Sequence, residues 1–287
     1  MLCRDEDEVR KKVQELGLVE HPGKRVISIG AVMKIDLNSD LGEGFGRWKM
    51  GDDEALMKLV SSANIACGFH AGDAVIMTRM VEAAKENGVA IGAHCGLPDL
   101  LGFGRVPMNI NPRDMQKHAL YQLGALVAIA KVGGYAVTHA NTHGAMGNMA
   151  AENHEYIELI LDVFRAFDKD LIFATAPNGY SFKYARKIGM RTVGKVFADR
   201  AYDDEGRLVN RRLPGAVITD LKEAEVRINQ FLDDGTFTSQ SGKRVKFDAQ
   251  CILVHSDTPG AVEIAKVVRN AVEKGGGKIV PLTELAN

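Results

Sequence analysis

The sequence predicts an α/β fold whose parallel sheet closes into a TIM-like (β/α) barrel, on three observations. The chain has 287 residues, and α/β barrels commonly run to roughly 200–250 residues as one domain. Short apolar runs alternate with longer stretches of helical periodicity, giving seven or eight βα units. Nearly every side chain suited to chemistry stands just after a predicted strand, and in a barrel those strand ends share one face. A doubly wound open sheet is the alternative arrangement of the same units.

Strands are expected at residues 34–38, 63–67, 89–93, 136–139, 171–174, 192–198, 251–255 and 278–280. Helices are expected at 73–87, 112–132, 155–167, 221–232 and 259–274. Asn111 can cap the second of these, and Pro112 suits its first turn, where a missing N–H leaves no bond unmade. Two stretches interrupt the alternation: a loop with glycine and proline from 95 to 109, and a hairpin over 236–247 turning at Ser241-Gly242.

Residues 1–32 read as an N-terminal extension to a barrel domain spanning 33–287. Asp5 to Glu8 are all acidic and Arg10, Lys11 and Lys12 follow, with Val9, Val13 and Leu16 at helical spacing. That order suits the dipole of a short amphipathic helix. Residues 26–29 then read as a strand, and Met33 is a candidate alternative start.

Composition excludes several classes. With 46% hydrophobic and 25% charged residues and 30 glycines, the chain reads as an ordinary globular enzyme. A net charge of -1 lacks the basic footprint of a nucleic-acid binder. No run reaches the roughly 18 apolar residues of a membrane span, and the N-terminus lacks a signal-peptide core. Cys3, Cys67, Cys95 and Cys251 lie far apart and form no C-x-x-C pair, which fits reduced thiols and a cytoplasmic setting.

The groups at strand ends are Asp40 and Glu43, His70 and Asp73, His94, His139 and His143, Asp199 and Arg200, and His255 and Asp257. There is no G-x-S-x-G elbow, and Gly275-Gly276-Gly277-Lys278 lacks the rest of a phosphate loop. A carboxylate and histidine constellation suits hydrolysis of a C–N bond. A divalent metal held by a carboxylate and two imidazoles could polarise an amide. Without metal, a carboxylate could act as base on water while a histidine or acid protonates the leaving nitrogen. Arg105 and Arg200 could clamp a substrate carboxylate.

Several blocks together resemble the LamB/YcsF family of lactam-utilisation proteins, which form the A component of bacterial 5-oxoprolinase. They are Asp36 to Glu43, Ser62 to Asp73, the Gly102 to Arg105 loop, Val196 to Tyr202 and His255 to Ala261. The resemblance implies a seven-stranded barrel of the glycoside hydrolase/deacetylase type. It also implies ATP-dependent opening of 5-oxoproline to L-glutamate with partner subunits B and C, which would handle the ATP. On this footing Asp40, Glu43, Asp73 and His143 are the expected catalytic groups. His94, Arg105, Asn141, Asp199, Arg200 and Asp257 are the expected substrate contacts, and Asp40, His70 and His143 the expected metal set.

Asn141 to Asn148 departs from the family's usual Lys-Pro-His-Gly-Ala-Leu-Tyr-Asn and so lacks a cation and an aromatic ring. Cys95-Gly96-Leu97, Lys195 and Ser256 also differ from the usual residues. The alternatives are a stand-alone metal-dependent deacetylase or amidohydrolase, and a non-catalytic binding subunit.

Overall fold

The first strand, β1 (Lys34–Leu41), alternates two kinds of residue. Asp36, Asn38 and Asp40 share one face and Ile35, Leu37 and Leu41 the other, because successive side chains in a strand point to opposite sides. The apolar face joins the main hydrophobic cluster. The polar face forms a hydrogen-bonded column: Asn38 donates to Asp36 at 3.2 Å, and Asn64 Nδ2 donates to both Asn38 and Asp40 at 2.7 Å. All these residues are buried, so the barrel is polar along part of its axis.

The computed structural model describes residues 32–286; the expected helix and strand of the N-terminal extension lie outside the described residues. β1 is followed by β2 (Ser62–Ala66), β3 (Ala90–Cys95), β4 (Val137–Thr142), β5 (Ile172–Thr175), β6 (Thr192–Phe197) and β9 (Cys251–His255). Each pairs in parallel with the next, and β9 returns to β1 through Asp36↔Cys251 to Asp40↔His255. The result is a closed seven-stranded parallel barrel, not an open sheet. Lys34 and Ile35 pair instead with β10 (Lys278–Ile279), so β1 changes neighbour along its length. β7 (Thr236–Thr238) and β8 (Arg244–Lys246) form the expected hairpin outside the barrel.

The helices follow in order as α1 (Asp53–Met57), α2 (Ala74–Asn87), α3 (Pro112–Val132), α4 (Gly144–Glu152), α5 (His154–Phe167), α6 (Tyr180–Lys187), α7 (Leu221–Asp234) and α8 (Ala261–Lys274). Asn111 caps α3 through the Arg113 N–H, with Pro112 in the first turn. Fully buried side chains such as Phe164, Phe173 and Phe231 seal the helical layer, each stabilising by roughly 1.5–3 kcal/mol.

Three helices were not expected: α1, α4 and α6, of 5, 9 and 8 residues. Elements this short carry too few turns for an apolar stripe to emerge from the sequence. β1 and β4 also run farther than expected, to Leu41 and Thr142. Asp40 and Asn141 therefore belong to strands and are held by the sheet.

Candidate active site

At the C-terminal mouth of the barrel, four loops and strand ends bring one carboxylate and three imidazoles together. Glu43 follows β1 through Gly42, whose φ of 70° is open to glycine but strained for other residues. His70 comes from the loop after β2, His94 from β3, and His143 is the residue preceding α4. All four side chains are buried.

Their donor atoms lie within 4.8 Å of one another. His70 Nε2 is 3.2 Å from Glu43 Oε1, His143 Nδ1 is 3.3 Å from the same oxygen, and His94 Nε2 is 3.7 Å from it. His143 Nδ1 and His94 Nε2 are 3.0 Å apart. The rings of His70 and His143 stack at 3.8 Å and 6°. Asp40 stands beside the group, 3.4 Å from His94 Nε2.

The outward nitrogens of His143 and His94 are pinned, whereas His70 Nδ1 is enclosed without a partner among the described residues. His143 Nε2 donates to the carbonyl of Phe103 at 2.8 Å, and His94 Nδ1 to Asn141 Oδ1 at 2.7 Å. A proton held outside leaves the inner nitrogen's lone pair facing the centre. Two lone pairs 3.0 Å apart beside two carboxylates form an electron-rich pocket that calls for a cation, either a proton or a metal ion.

Electrostatics agree. Burial pushes the Asp40 and Glu43 carboxyls up, but the neighbouring histidines outweigh it and hold both below the usual carboxylate range. Burial would push His94 down, yet Asp40 outweighs it and raises His94. Burial, aided by His143, depresses His70 to about 3, and burial also lowers His143. The site thus holds two carboxylates, one basic imidazole and two imidazoles that resist protonation.

The geometry fits a metal as well. Tetrahedral zinc with ligand bonds near 2.0–2.1 Å places its donors about 3.3 Å apart; four of the six separations here are 3.0, 3.2, 3.3 and 3.7 Å, and all six lie within 4.8 Å. The Glu43, His70, His94 and His143 group could therefore hold a divalent ion. The expected set contained Asp40; the four donors gathered here include Glu43 and His94, while Asp40 is engaged by Asn64 and His94.

Asp73, expected as an acid–base group, is placed apart from the cluster. Its oxygens accept from the N–H groups of Val75, Ile76 and Gly46, which caps α2 and anchors the preceding loop. Asp199, expected near substrate, accepts from His255 and Thr258 and is buried. Arg200 does not point a free fork at a ligand: its guanidinium donates to the carbonyls of Ala216 and Val209. Arg105 pairs with Asp257 at 2.7 Å. His139 lies a layer below, donating from Nε2 to Asn64 Oδ1 at 3.0 Å.

Sequence reasoning missed the Phe103 carbonyl, which only the fold of its loop presents, and Arg211, which bonds Asp257 at 3.1 Å. Neither carries a motif. Lys195 is buried opposite Cys251 in the register; burial lowers its pKa against the charge of Asp40.

The LamB/YcsF family matches residues 35–287. This chain belongs to it. Among LamB/YcsF relatives, one of the 5-oxoprolinase A components of Bradyrhizobium diazoefficiens is 49% identical over 255 residues, covering 89% of this chain and 100% of the relative. A 5-oxoprolinase A component of Pseudomonas syringae pv. tomato is 49% identical over 253 residues, covering 88% and 99%. The crystal structure of the lactam utilization protein from Thermus thermophilus is 40% identical with a TM-score of 0.81, covering 86% of this chain and 99% of that one. The LamB/YcsF match thus takes in the barrel from Ile35 onward and, with it, Asp40, Glu43, His70, His94 and His143. Among the described residues no helix is long and apolar enough to cross a membrane.

Proposed function

We propose that this chain is the lactam-opening subunit of a 5-oxoprolinase, cleaving 5-oxoproline to L-glutamate in an ATP-dependent assembly with partner subunits B and C. The observation that carries the reading is the buried convergence of Glu43, His70, His94 and His143 beside Asp40. Two relatives of nearly full overlap that bear the 5-oxoprolinase name support it.

Lactam hydrolysis adds water to the ring carbonyl, breaks the C–N bond and places a proton on the departing nitrogen. Glu43, held ionised by its histidines, accepts the water's proton. His94 is the imidazole that Asp40 keeps basic, so it stores the proton the nitrogen needs. His70 donates from Nε2 to Glu43 and so orients it. The chain has no nucleotide motif, which supports a division of labour in which the partners carry the ATP step.

A second reading is favoured by the donor spacing. Glu43, His70, His94 and His143 would hold a divalent ion, which when bound would polarise the lactam carbonyl and acidify a bound water. Asp40, held by Asn64, would then stand beside the ion's ligands.

Reconstitution with the two partner subunits tests the main reading. Glutamate release from 5-oxoproline should require ATP, and Glu43→Gln should lower it by about a thousand-fold or more without unfolding the chain. Substantial ATP-independent turnover by the chain alone would overturn the division of labour.

A further inference from the structure

We infer that Arg105 and Arg211 together form the seat for the carboxylate of a small lactam acid, with Arg211 a further substrate-binding residue. The inference rests on the lactam reading above and deepens it.

Arg105 comes from the loop after β3, Arg211 from the loop after β6, and Asp257 from the loop after β9. Both guanidiniums bond the same oxygen, Asp257 Oδ2, at 2.7 and 3.1 Å. One carboxylate cannot balance two guanidiniums, so the trio keeps a positive charge. Asp199, which accepts from His255 and Thr258, also feels the charge of Arg211, and Arg200 feels both guanidiniums, so three guanidiniums share two carboxylates on this side. The donor set is also incomplete: Arg211 Nη2 is enclosed without a partner among the described residues. Meanwhile 31% of the Arg105 side chain and 23% of the Arg211 side chain remain exposed, which leaves donors open to a ligand.

Position selects the ligand. The Arg105 guanidinium lies 4.6 Å over the Phe103 ring, and the same ring meets His143 at 5.2 Å. A single phenyl ring thus links the Arg105 guanidinium to the histidine cluster. 5-Oxoproline carries its carboxylate on the ring carbon flanking nitrogen, on the other side from the lactam carbonyl. A carboxylate seated on the guanidiniums would thus turn the lactam ring toward the side of Phe103 and the cluster. Arg105 and Arg200 were both expected in this role, but Nε and Nη2 of Arg200 donate to the carbonyls of Ala216 and Val209, which favours Arg211 as the partner of Arg105.

The test compares 5-oxoproline with 2-pyrrolidinone, the same ring without the carboxylate. Calorimetric titration of the full chain, alone and in the reconstituted complex, should show 5-oxoproline binding at least about ten-fold tighter than 2-pyrrolidinone. Arg211→Gln should remove most of that preference, and Arg211→Lys should keep part of it, since a lysine retains charge but not the fork. In turnover, Arg211→Gln should raise KM for 5-oxoproline by about ten-fold with a smaller change in kcat. Unchanged preference in Arg211→Gln, equal binding of the two lactams by wild type, or binding of neither would overturn the seat. Loss of turnover in the wild-type complex with the preference intact would overturn the 5-oxoprolinase reading instead. Should Arg211→Gln fail to fold, Arg105→Lys and Arg211→Lys carry the same comparison.

Discussion

The carbonyl oxygen of Phe103 lies 2.8 Å from Nε2 of His143 and accepts its proton. Phe103 is a non-glycine residue at a φ of 54°, in the left-handed region that L side chains seldom adopt. The backbone of the 102–105 loop is therefore held in a costly conformation at the point where it sets the tautomer of a site histidine. Gly104 follows at a φ of 61°, and a Cβ there would stand 2.5 Å from His70 Cβ and 2.9 Å from His143 Cδ2. Gly104→Ala should cost about 1–3 kcal/mol of stability in chemical denaturation and should also abolish turnover. Retained activity would mean that the loop does not set the histidine geometry.

The donor cluster predicts metal content. Wild-type protein purified with divalent ions should carry about one ion per chain, and His143→Ala should weaken binding by at least about a hundred-fold. Asn141→Ala, which removes only the outer brace on His94, should weaken it by about 10–100-fold. Elemental analysis after dialysis gives the answer, and protein without metal under replete conditions would retire the second reading.

Asp73 provides the contrasting case. As the residue capping α2, it should cost about 1 kcal/mol when replaced by alanine, with turnover per folded chain unchanged. A large fall in kcat with unaltered thermal stability would restore it to the catalytic set.

His139 gives stability a pH dependence. Burial, aided by Lys195, depresses its pKa from 6.5 to about 3. An unfolded chain binds the proton near 6.5 while the folded chain resists it to about 3, so acid favours unfolding. Its contribution is complete above about pH 6.5 and is lost as the pH falls toward 3, by up to about 1.4 kcal/mol per pH unit. His139→Gln, which keeps a donor for Asn64 but cannot take up the proton, should flatten denaturation midpoints between about pH 7 and 4 relative to wild type. Equal slopes in the two proteins would contradict the assignment.

By itself the sequence determined the alternation of strands and helices, because periodicities of about 2 and 3.6 are local properties of the chain. It also placed Asp40, Glu43, His70, His94 and His143 on one rim, since strand ends in a βα barrel converge wherever they lie in the chain. It did not determine which of them meet. Asp73 and Glu43 read alike as acids after strands, yet one bonds three backbone N–H groups and the other faces three imidazoles at 3.2, 3.3 and 3.7 Å. Arg200 read as a clamp, yet its Nε and Nη2 bond backbone carbonyls, and Arg211, which carries no motif, bonds Asp257. Hydrogen bonds and ion pairs act over a few ångströms, and separations that small between residues scores of positions apart are set only when the barrel closes.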